Sequence, residues 1–282
     1  MAQLPELGAP VLVLGASGVV GGYLLDLFAE QGVSVLAVSR RPPERARPGE
    51  IWFQQDLAVS PAPVSASVVI SLGPLLFAEQ YLRENSQVGR LVALSSASTH
   101  FKLDSPDPAE RTLIAGLLAT EERVSKLCRD RSINVTILKP TMIYGAGDDR
   151  NVSYLARLMG RFSMVPYCGR GLRQPVHAQD LADLIGRCLV LGKRSNGSWL
   201  VGGGETLEYP TMLRRIAAAN HRSPRLVRIP TWLMTSTLAI AHRLGRLRSV
   251  NSAMIRRQGQ DLAVDDRPAR QSLNWNPRPF RP

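Results

Sequence analysis

Short apolar runs alternate with longer stretches of helical periodicity through the first half of the chain. Residues 11–14 (VLVL) form an apolar run that stops at a glycine, as expected of a short strand buried on both faces. Residues 19–30 repeat apolar side chains at helical spacing, and Gly32 ends the pattern. The same reading gives strands at 33–38, 51–54, 68–71, 91–94 and 135–138, and helices at 77–85 and 109–131. A loop rich in proline and arginine (RRPPERARPGE, 40–50) separates the second strand from the third, and Gly73-Pro74 breaks the chain after the fourth. Strands alternating with helices imply parallel strands joined by right-handed crossovers. The predicted fold class is α/β, a doubly wound parallel sheet.

After residue 145 the pattern loosens, with punctuation at Pro166, Gly169, Gly171, Pro175, Gly202, Gly203, Gly204, Pro210, Pro224 and Pro230. This predicts a core over residues 1–145 and a smaller C-terminal lobe over 146–282. The lobe is expected to return one or two elements to the sheet, so that the whole is a single compact unit. The tail NWNPRPFRP reads as an extended surface strap, and no internal repeat is visible.

With 282 residues, 44% of them hydrophobic and 21% charged, the chain can bury a large core and is not compositionally disordered. Cys128, Cys168 and Cys188 are widely spaced and odd in number, which argues against a disulfide framework or a metal site and for a reducing cytoplasm. The first residues read as a strand and not as a secretory leader, and no apolar run is long enough to span a membrane. The net charge of +12 points to anionic partners or to an inert basic surface. The anionic partners are a phosphorylated cofactor or substrate, an anionic membrane, or nucleic acid. Aromatic residues make up only 6% and no recognition motif stands out, so nucleic acid is not expected. Residues 229–257 are apolar at helical spacing and turn basic towards their end. That suits peripheral contact with an anionic membrane, or a lobe helix covering a cleft.

The segment VLVLGASGVVGGYLL places Gly15, Gly18 and Gly21 between the first strand and the first helix. In a dinucleotide-binding turn the first glycine permits the tight bend, the second admits a pyrophosphate, and the third lets helix pack on strand. Ser17, Val19 and Val20 then bring backbone amides to the phosphates. The sheet is accordingly expected to be of the Rossmann type. The second strand runs into Arg40 and Arg41 with no acid beside them. Guanidinium suits a 2′-phosphate, so NADP(H) is expected to be preferred, with NAD(H) as the other possibility. Asp56 and Leu57 would sit by the adenine, and Ser71, Leu72 and Gly73 along the cofactor's ribose and phosphates.

GASGVVG, Asp56-Leu57, LSSAS (94–98), TILKPTMIYGAGD (136–148), QPVHAQDLADLI (174–185) and WLVGGGETLEYPTML (199–213) run in one order across most of the chain. By these segments the chain resembles the extended short-chain dehydrogenase/reductase superfamily, in its NAD-dependent epimerase/dehydratase branch. The resemblance implies that Ser95, Pro140 and Met142 also border the cofactor, and that Ser96 polarises a substrate oxygen. It further implies a Tyr-x-x-x-Lys dyad on the helix that follows.

The chain departs from that pattern. Matching Lys126 to the family's lysine puts Glu122 at the tyrosine position and leaves too short an interval to Lys139. Matching Glu122 to the family's structural glutamate, paired with Lys139, puts Ile114 at the tyrosine position and Leu118 at the lysine position. The second match is preferred, so IAGLL (114–118) stands where both members of the dyad are missing. In this the chain resembles the family's atypical set. An aliphatic side chain moves no proton, which leaves His100, Lys102 and Tyr144 as the residues to consider as stand-ins, His100 first.

Arg150, Asn151, Arg173 and Gln174, with Arg170, would face an anionic substrate such as a sugar nucleotide, while Asp180 is expected to cap a helix. The expected function is an NADP(H)-binding reductase or epimerase step on a nucleotide- or lipid-linked sugar. The alternative is a catalytically silent sensor or scaffold that binds NADP(H). The resemblance also implies a homodimer through the 109–131 helix.

Overall fold

The structure is a computed structural model that describes residues 4, 8–145, 147, 149, 151–221, 224–243, 245 and 252–282. Its centre is a seven-stranded, all-parallel sheet. Strand β1 (Val11–Leu14) leads through helix α1 (Val19–Glu30) to β2 (Val35–Ser39) and β3 (Glu50–Gln54). The chain then crosses to β4 (Val68–Ser71), α2 (Leu76–Glu84), β5 (Arg90–Leu94), the short helix α3 (Ser98–Phe101), the long helix α4 (Pro108–Asp130) and β6 (Asn134–Pro140). Beyond β6 come β7 (Ile143–Tyr144), α5 (Val152–Arg161), β8 (Met164–Tyr167), β9 (Leu172–Arg173), β10 (Val176–His177), α6 (Ala178–Leu191) and β11 (Gly197–Val201). The last elements are β12 (Leu207–Glu208), α7 (Tyr209–Ala219), β13 (Arg225–Arg228), α8 (Thr231–Arg243), α9 (Ser252–Arg256) and α10 (Arg267–Ser272).

The strand order is β11-β6-β5-β4-β1-β2-β3. It reverses between β1 and β4, which opens a crevice at the carboxyl ends of those strands. The period-two alternation of β1 shows why the sheet is covered on both faces. Val11 and Val13 point into a core shared with α1 and α6, whereas Leu12 and Leu14 point into one shared with α2 and α4. Helix α4 starts where Asp107 accepts a hydrogen bond from the Ala109 amide and Pro108 occupies the first turn. A third core joins α5, α7 and β8 around Met159, Met212 and Ile216.

Strand β11, from the C-terminal part of the chain, pairs in parallel with β6 and completes the sheet. The tail is not a surface strap. Trp275 is buried in the sheet's core and Phe280 in the lobe's core, edge-on to Tyr144 at 4.9 Å. Asp180 does not cap α6, because His177 Nδ1 accepts from the Gln179 amide in that role. Asp180 instead anchors the tail, accepting from the Arg278 amide at 2.9 Å and pairing with its guanidinium at 2.8 Å. Among the described residues no helix is long and apolar enough to cross a membrane, and no group of histidine, cysteine and acidic side chains could hold a metal.

Candidate active site

The glycine turn sits at the crevice. Gly15 has φ +77°, and a Cβ there would lie 3.1 Å from the Gly73 amide, so the turn presses against the end of β4. A Cβ on Gly21 would lie 2.0 Å from the Ala16 carbonyl oxygen, and only glycine lets α1 come this close to the strand. Helix α1 begins at Gly18 with no side-chain cap and no acid in its first turn. Its amino end, at Ser17, Gly18, Val19 and Val20, therefore carries no side chain of its own that would compete with an anion. Arg40 and Arg41 follow β2, both exposed. The buried hydroxyls of Ser39 and Ser71, at the ends of β2 and β4, have no hydrogen-bond partner among the described residues. Asp56 Oδ1 accepts from the Ala58 amide, and Leu57 is buried beside it. These residues fit a dinucleotide: a cradle that a Cβ would fill, a helix amino end and two exposed cations after β2.

Two cavities meet at Ser96. The first, of about 680 Å³, is lined by Leu72, Gly73, Leu75, Leu94, Ser95, Ser96 and Ile143, and by Thr112, Leu113, Gly116, Leu117 and Thr120 of α4. The second, of about 420 Å³, is lined by Ser96, Lys102, Pro140, Met142, Asn151 and Tyr154, together with Arg173, Gln174, Tyr209, Met254 and Arg257. Ser96 Oγ accepts from the Ser98 amide at 3.1 Å, which holds the serine at the corner between them.

Arg173 is buried. It donates to the carbonyl oxygens of Leu172 and Gln260 at 2.8 Å and of Arg257 at 2.6 Å, and it lies over the Tyr209 ring at 5.1 Å. Among the described residues no carboxylate reaches ion-pair distance of it, and burial lowers its pKa. Glu110 stands nearby and pairs with Arg257 at 2.5 Å and Lys102 at 3.1 Å, while Ser105 Oγ donates to it at 2.7 Å. Burial pushes the Glu110 carboxyl up, but these partners outweigh it and hold it below the usual carboxylate range. The second cavity is thus a cationic one, with one acid shared between two of its three cations.

The structure corrects the pairing of Lys139. Its ammonium meets Glu121, not Glu122, at 2.6 Å, and Ser95 Oγ donates to the same carboxylate. Glu122 is exposed, because one residue on a helix is a rotation of about 100°. The positions eight and four residues before the paired glutamate are therefore Leu113 and Leu117, which line the first cavity. Ile114, 1% exposed, packs away from it, and Leu118 lines a separate recess by Glu122 and Ser198.

Other expected residues are placed unevenly. Asn151, Arg173 and Gln174 come together in the cationic cavity. Gln174 is pinned there, donating to the Gly203 carbonyl oxygen and Asp266 and accepting from the Val264 amide. Arg150 lies outside the described residues. Arg170 is exposed and does not line the cavity, and neither does His100, which is exposed on α3 against Phe101. Lys102 does line it. Tyr144 is buried, its hydroxyl accepting from the Arg281 amide. Arg257, Tyr209 and Met254 join the cavity from distant parts of the chain, and no local pattern announced them.

Residues 11–62 match the NAD dependent epimerase/dehydratase family. A UDP-glucose 4-epimerase of Vibrio cholerae is 28% identical over 159 residues, 56% of this chain and 46% of that protein. The chloroplastic divinyl chlorophyllide a 8-vinyl-reductase of Zea mays is 25% identical over 86% of this chain and 67% of its own. The chain thus spans about half the length of the first of these relatives and two thirds of the second. Among solved structures, MoeE5 in complex with UDP-glucose and NAD superposes with a TM-score of 0.70 at 20% identity, covering 96% of this chain and 94% of that one. A UDP-N-acetylglucosamine 4-epimerase from Bacillus cereus gives 0.68 at 13% identity over 96% and 94%. Over residues 11–62 the chain is thus similar to the NAD dependent epimerase/dehydratase family, and its seven-stranded parallel sheet with the glycine turn shares the fold of these solved structures.

Proposed function

We propose that this chain is an NADP(H)-preferring reductase or epimerase that acts on an anionic substrate, a nucleotide- or lipid-linked sugar, without the Tyr-x-x-x-Lys dyad. The observation that carries this reading is Arg173, a buried guanidinium with carbonyl partners only, facing a cavity that continues from the cofactor crevice. A buried cation whose nearest counter-charge, Asp261, acts only from beyond ion-pair distance gains from a ligand that brings one closer. A phosphate or diphosphate would do so, with Arg257 and Lys102 beside it. The relatives point the same way: MoeE5 was solved with UDP-glucose and NAD, and the Vibrio cholerae protein is a UDP-glucose 4-epimerase.

The cofactor preference rests on Arg40 and Arg41, on the Ser39 hydroxyl beside them, and on the lack of an acid at the end of β2. NAD(H) would bind there too, but more weakly. A bound nicotinamide would supply hydride chemistry, with Ser39, Ser71 and the glycine turn among the residues that would hold the dinucleotide. Ser96 orients a substrate oxygen by hydrogen bonding, and Arg173 and Arg257 hold the anionic end. At Leu113 and Leu117 no side chain can move a proton, so protonation would fall to water or to Lys102 at the cavity wall. A homodimer through α4 belongs to the same proposal, supported by the exposed leucines Leu76 and Leu113 on the two packed helices.

One observation favours a second reading, a silent NADP(H) sensor or scaffold: the wall opposite Ser95 and Ser96 carries Thr112, Leu113, Gly116, Leu117 and Thr120 and no acid or base. Turnover separates the two. NADPH or NADP⁺ is incubated with the protein and a panel of sugar nucleotides, and both cofactor absorbance and sugar stereochemistry are followed. Conversion that is lost in Ser96→Ala supports the enzyme. Tight cofactor binding with no conversion of any panel member, and with sedimentation unchanged by substrate, sinks it in favour of the sensor.

A further inference from the structure

Two stretches of the lobe contain no aspartate or glutamate. Residues 150–179 carry five arginines and residues 209–260 carry ten, together more positive charge than the chain's net +12. These stretches hold α5, β8, β13, α8 and α9. Strands β8 and β13 pair in parallel, with Met164 opposite Arg225 and Tyr167 opposite Arg228, and the chain passes from β13 directly into α8.

Helix α8 is apolar on two opposite sides. Met234 and Leu238, one turn apart, pack on Cys168 and Ile255. At about 100° per residue, Trp232, Leu233 and Ile240 fall on the other side of the helix, together with Arg243. That side faces water: Trp232 is 68% and Ile240 57% exposed, and Leu233 and Arg243 are exposed as well. A helix lying on the surface of a lobe ordinarily presents polar residues there. Arg225, Arg228 and Arg256 on the adjoining elements are exposed too.

We propose that this face of α8 docks on an anionic lipid bilayer, with Trp232, Leu233 and Ile240 entering the headgroup region and the surrounding arginines meeting lipid phosphates. Exposed tryptophan and aliphatic side chains gain from the acyl boundary and gain nothing from a nucleic-acid backbone, while arginines at the rim suit both. A second copy of the chain would bring one arginine-rich face against another and be repelled. Docking also sets the cleft near the lipid: α9 contributes Met254 to the cationic cavity, and its Ile255 packs on Leu238 of α8. The proposal does not depend on the chemistry assigned to the cleft.

The test is sedimentation of the full chain with vesicles of phosphatidylcholine alone, or of phosphatidylcholine mixed with phosphatidylglycerol. The chain is expected to follow the mixed vesicles, to release them as salt is raised, and to ignore the neutral ones. Trp232→Ser/Ile240→Ser, both at exposed positions, should lower partitioning about tenfold without moving the thermal midpoint. Arg225→Ser/Arg228→Ser should lower it by a similar factor of about ten. Four results would overturn the proposal. They are failure to bind mixed vesicles, equal binding by the Trp232/Ile240 variant, a preference for a DNA duplex over mixed vesicles at equal salt, and conversion of a dimer to a monomer by that variant.

Discussion

One side of Ser96 is lined by Leu72, Leu75, Leu94, Leu113 and Leu117, and the other by Lys102, Arg173 and Arg257. The two cavities share a serine but little else. The apolar side adjoins the crevice that the glycine turn and the end of β4 form, and the cationic side is assembled from β9, the loop before α4 and the segment after α9. The contrast teaches that recognition and proton transfer are separable in this architecture. In the proposed function cations stand ready for phosphate at both ends, while Leu113 and Leu117 on the α4 wall of the first cavity are aliphatic. Binding free energy supplied by remote cations can still serve a reaction that takes its proton from water.

The largest expected effect breaks the part both cavities depend on. Gly21→Val would drive a side chain into the Ala16 carbonyl, at a cost of about 3 kcal/mol or more. Its melting temperature should fall and nucleotide binding should vanish. A variant that melts and binds like the parent would mean that α1 does not pack as described.

Next comes the proposal that α4 lacks a proton donor. Leu113→Tyr/Leu117→Lys restores a tyrosine and a lysine to the face that lines the first cavity. If that reading holds, any alcohol–ketone turnover should rise about a hundredfold. The one-residue-shifted pair, Ile114→Tyr/Leu118→Lys, should give no gain and should lose stability, because Ile114 is buried. Equal gains from both pairs would erase the distinction between the two faces of the helix.

The cationic side is sharpened by Arg173→Met. Losing a charged hydrogen-bonding partner is worth about 2 kcal/mol, so sugar-nucleotide affinity should drop roughly thirtyfold by calorimetry. NADPH affinity, measured on the same sample, should stay within about twofold, which also reports that the variant is folded. A parallel loss of both affinities would show the two cavities to be one coupled site.

The smallest effect concerns pH. Burial holds His177 below the ordinary imidazole range, and Arg278 adds to this against the opposing Asp180. The folded state therefore prefers the neutral ring. That contribution is complete above the unfolded imidazole value of about 6.5 and is lost as pH falls below it towards the depressed folded value. Between neutral and mildly acidic buffer the melting temperature should drop by about 2 °C. His177→Asn should flatten that dependence, and an unchanged slope would remove His177 from the account.

What was legible in the chain was local. The runs VLVL and VVIS, with Gly15, Gly18 and Gly21, announced β1, β4 and the nucleotide turn, because a buried parallel strand and a tight turn are each written in a few neighbouring residues. The register of α4 was not legible to one residue. Leu113, Ile114, Leu117 and Leu118 are apolar on both candidate faces, so periodicity could not say which face lines the cavity, and only the Glu121–Lys139 pair decides it. Arg257, whose own carbonyl oxygen accepts from Arg173 across 84 positions of sequence, had no local signature. The tail misled for a compositional reason: its prolines, asparagines and arginines mask Trp275 and Phe280, which are buried by partners far away in sequence.

The central claim is that a phosphate-seeking nicotinamide site survives beside an α4 without a proton donor. The most direct test is calorimetric titration of the purified protein, first stripped of nucleotide, with NADPH and with NADH. Binding of NADPH at least about tenfold tighter than NADH, lost in Arg40→Ser/Arg41→Ser, is the predicted result. Equal affinity for the two would contradict the role given to the arginines, and binding of neither would contradict the site itself.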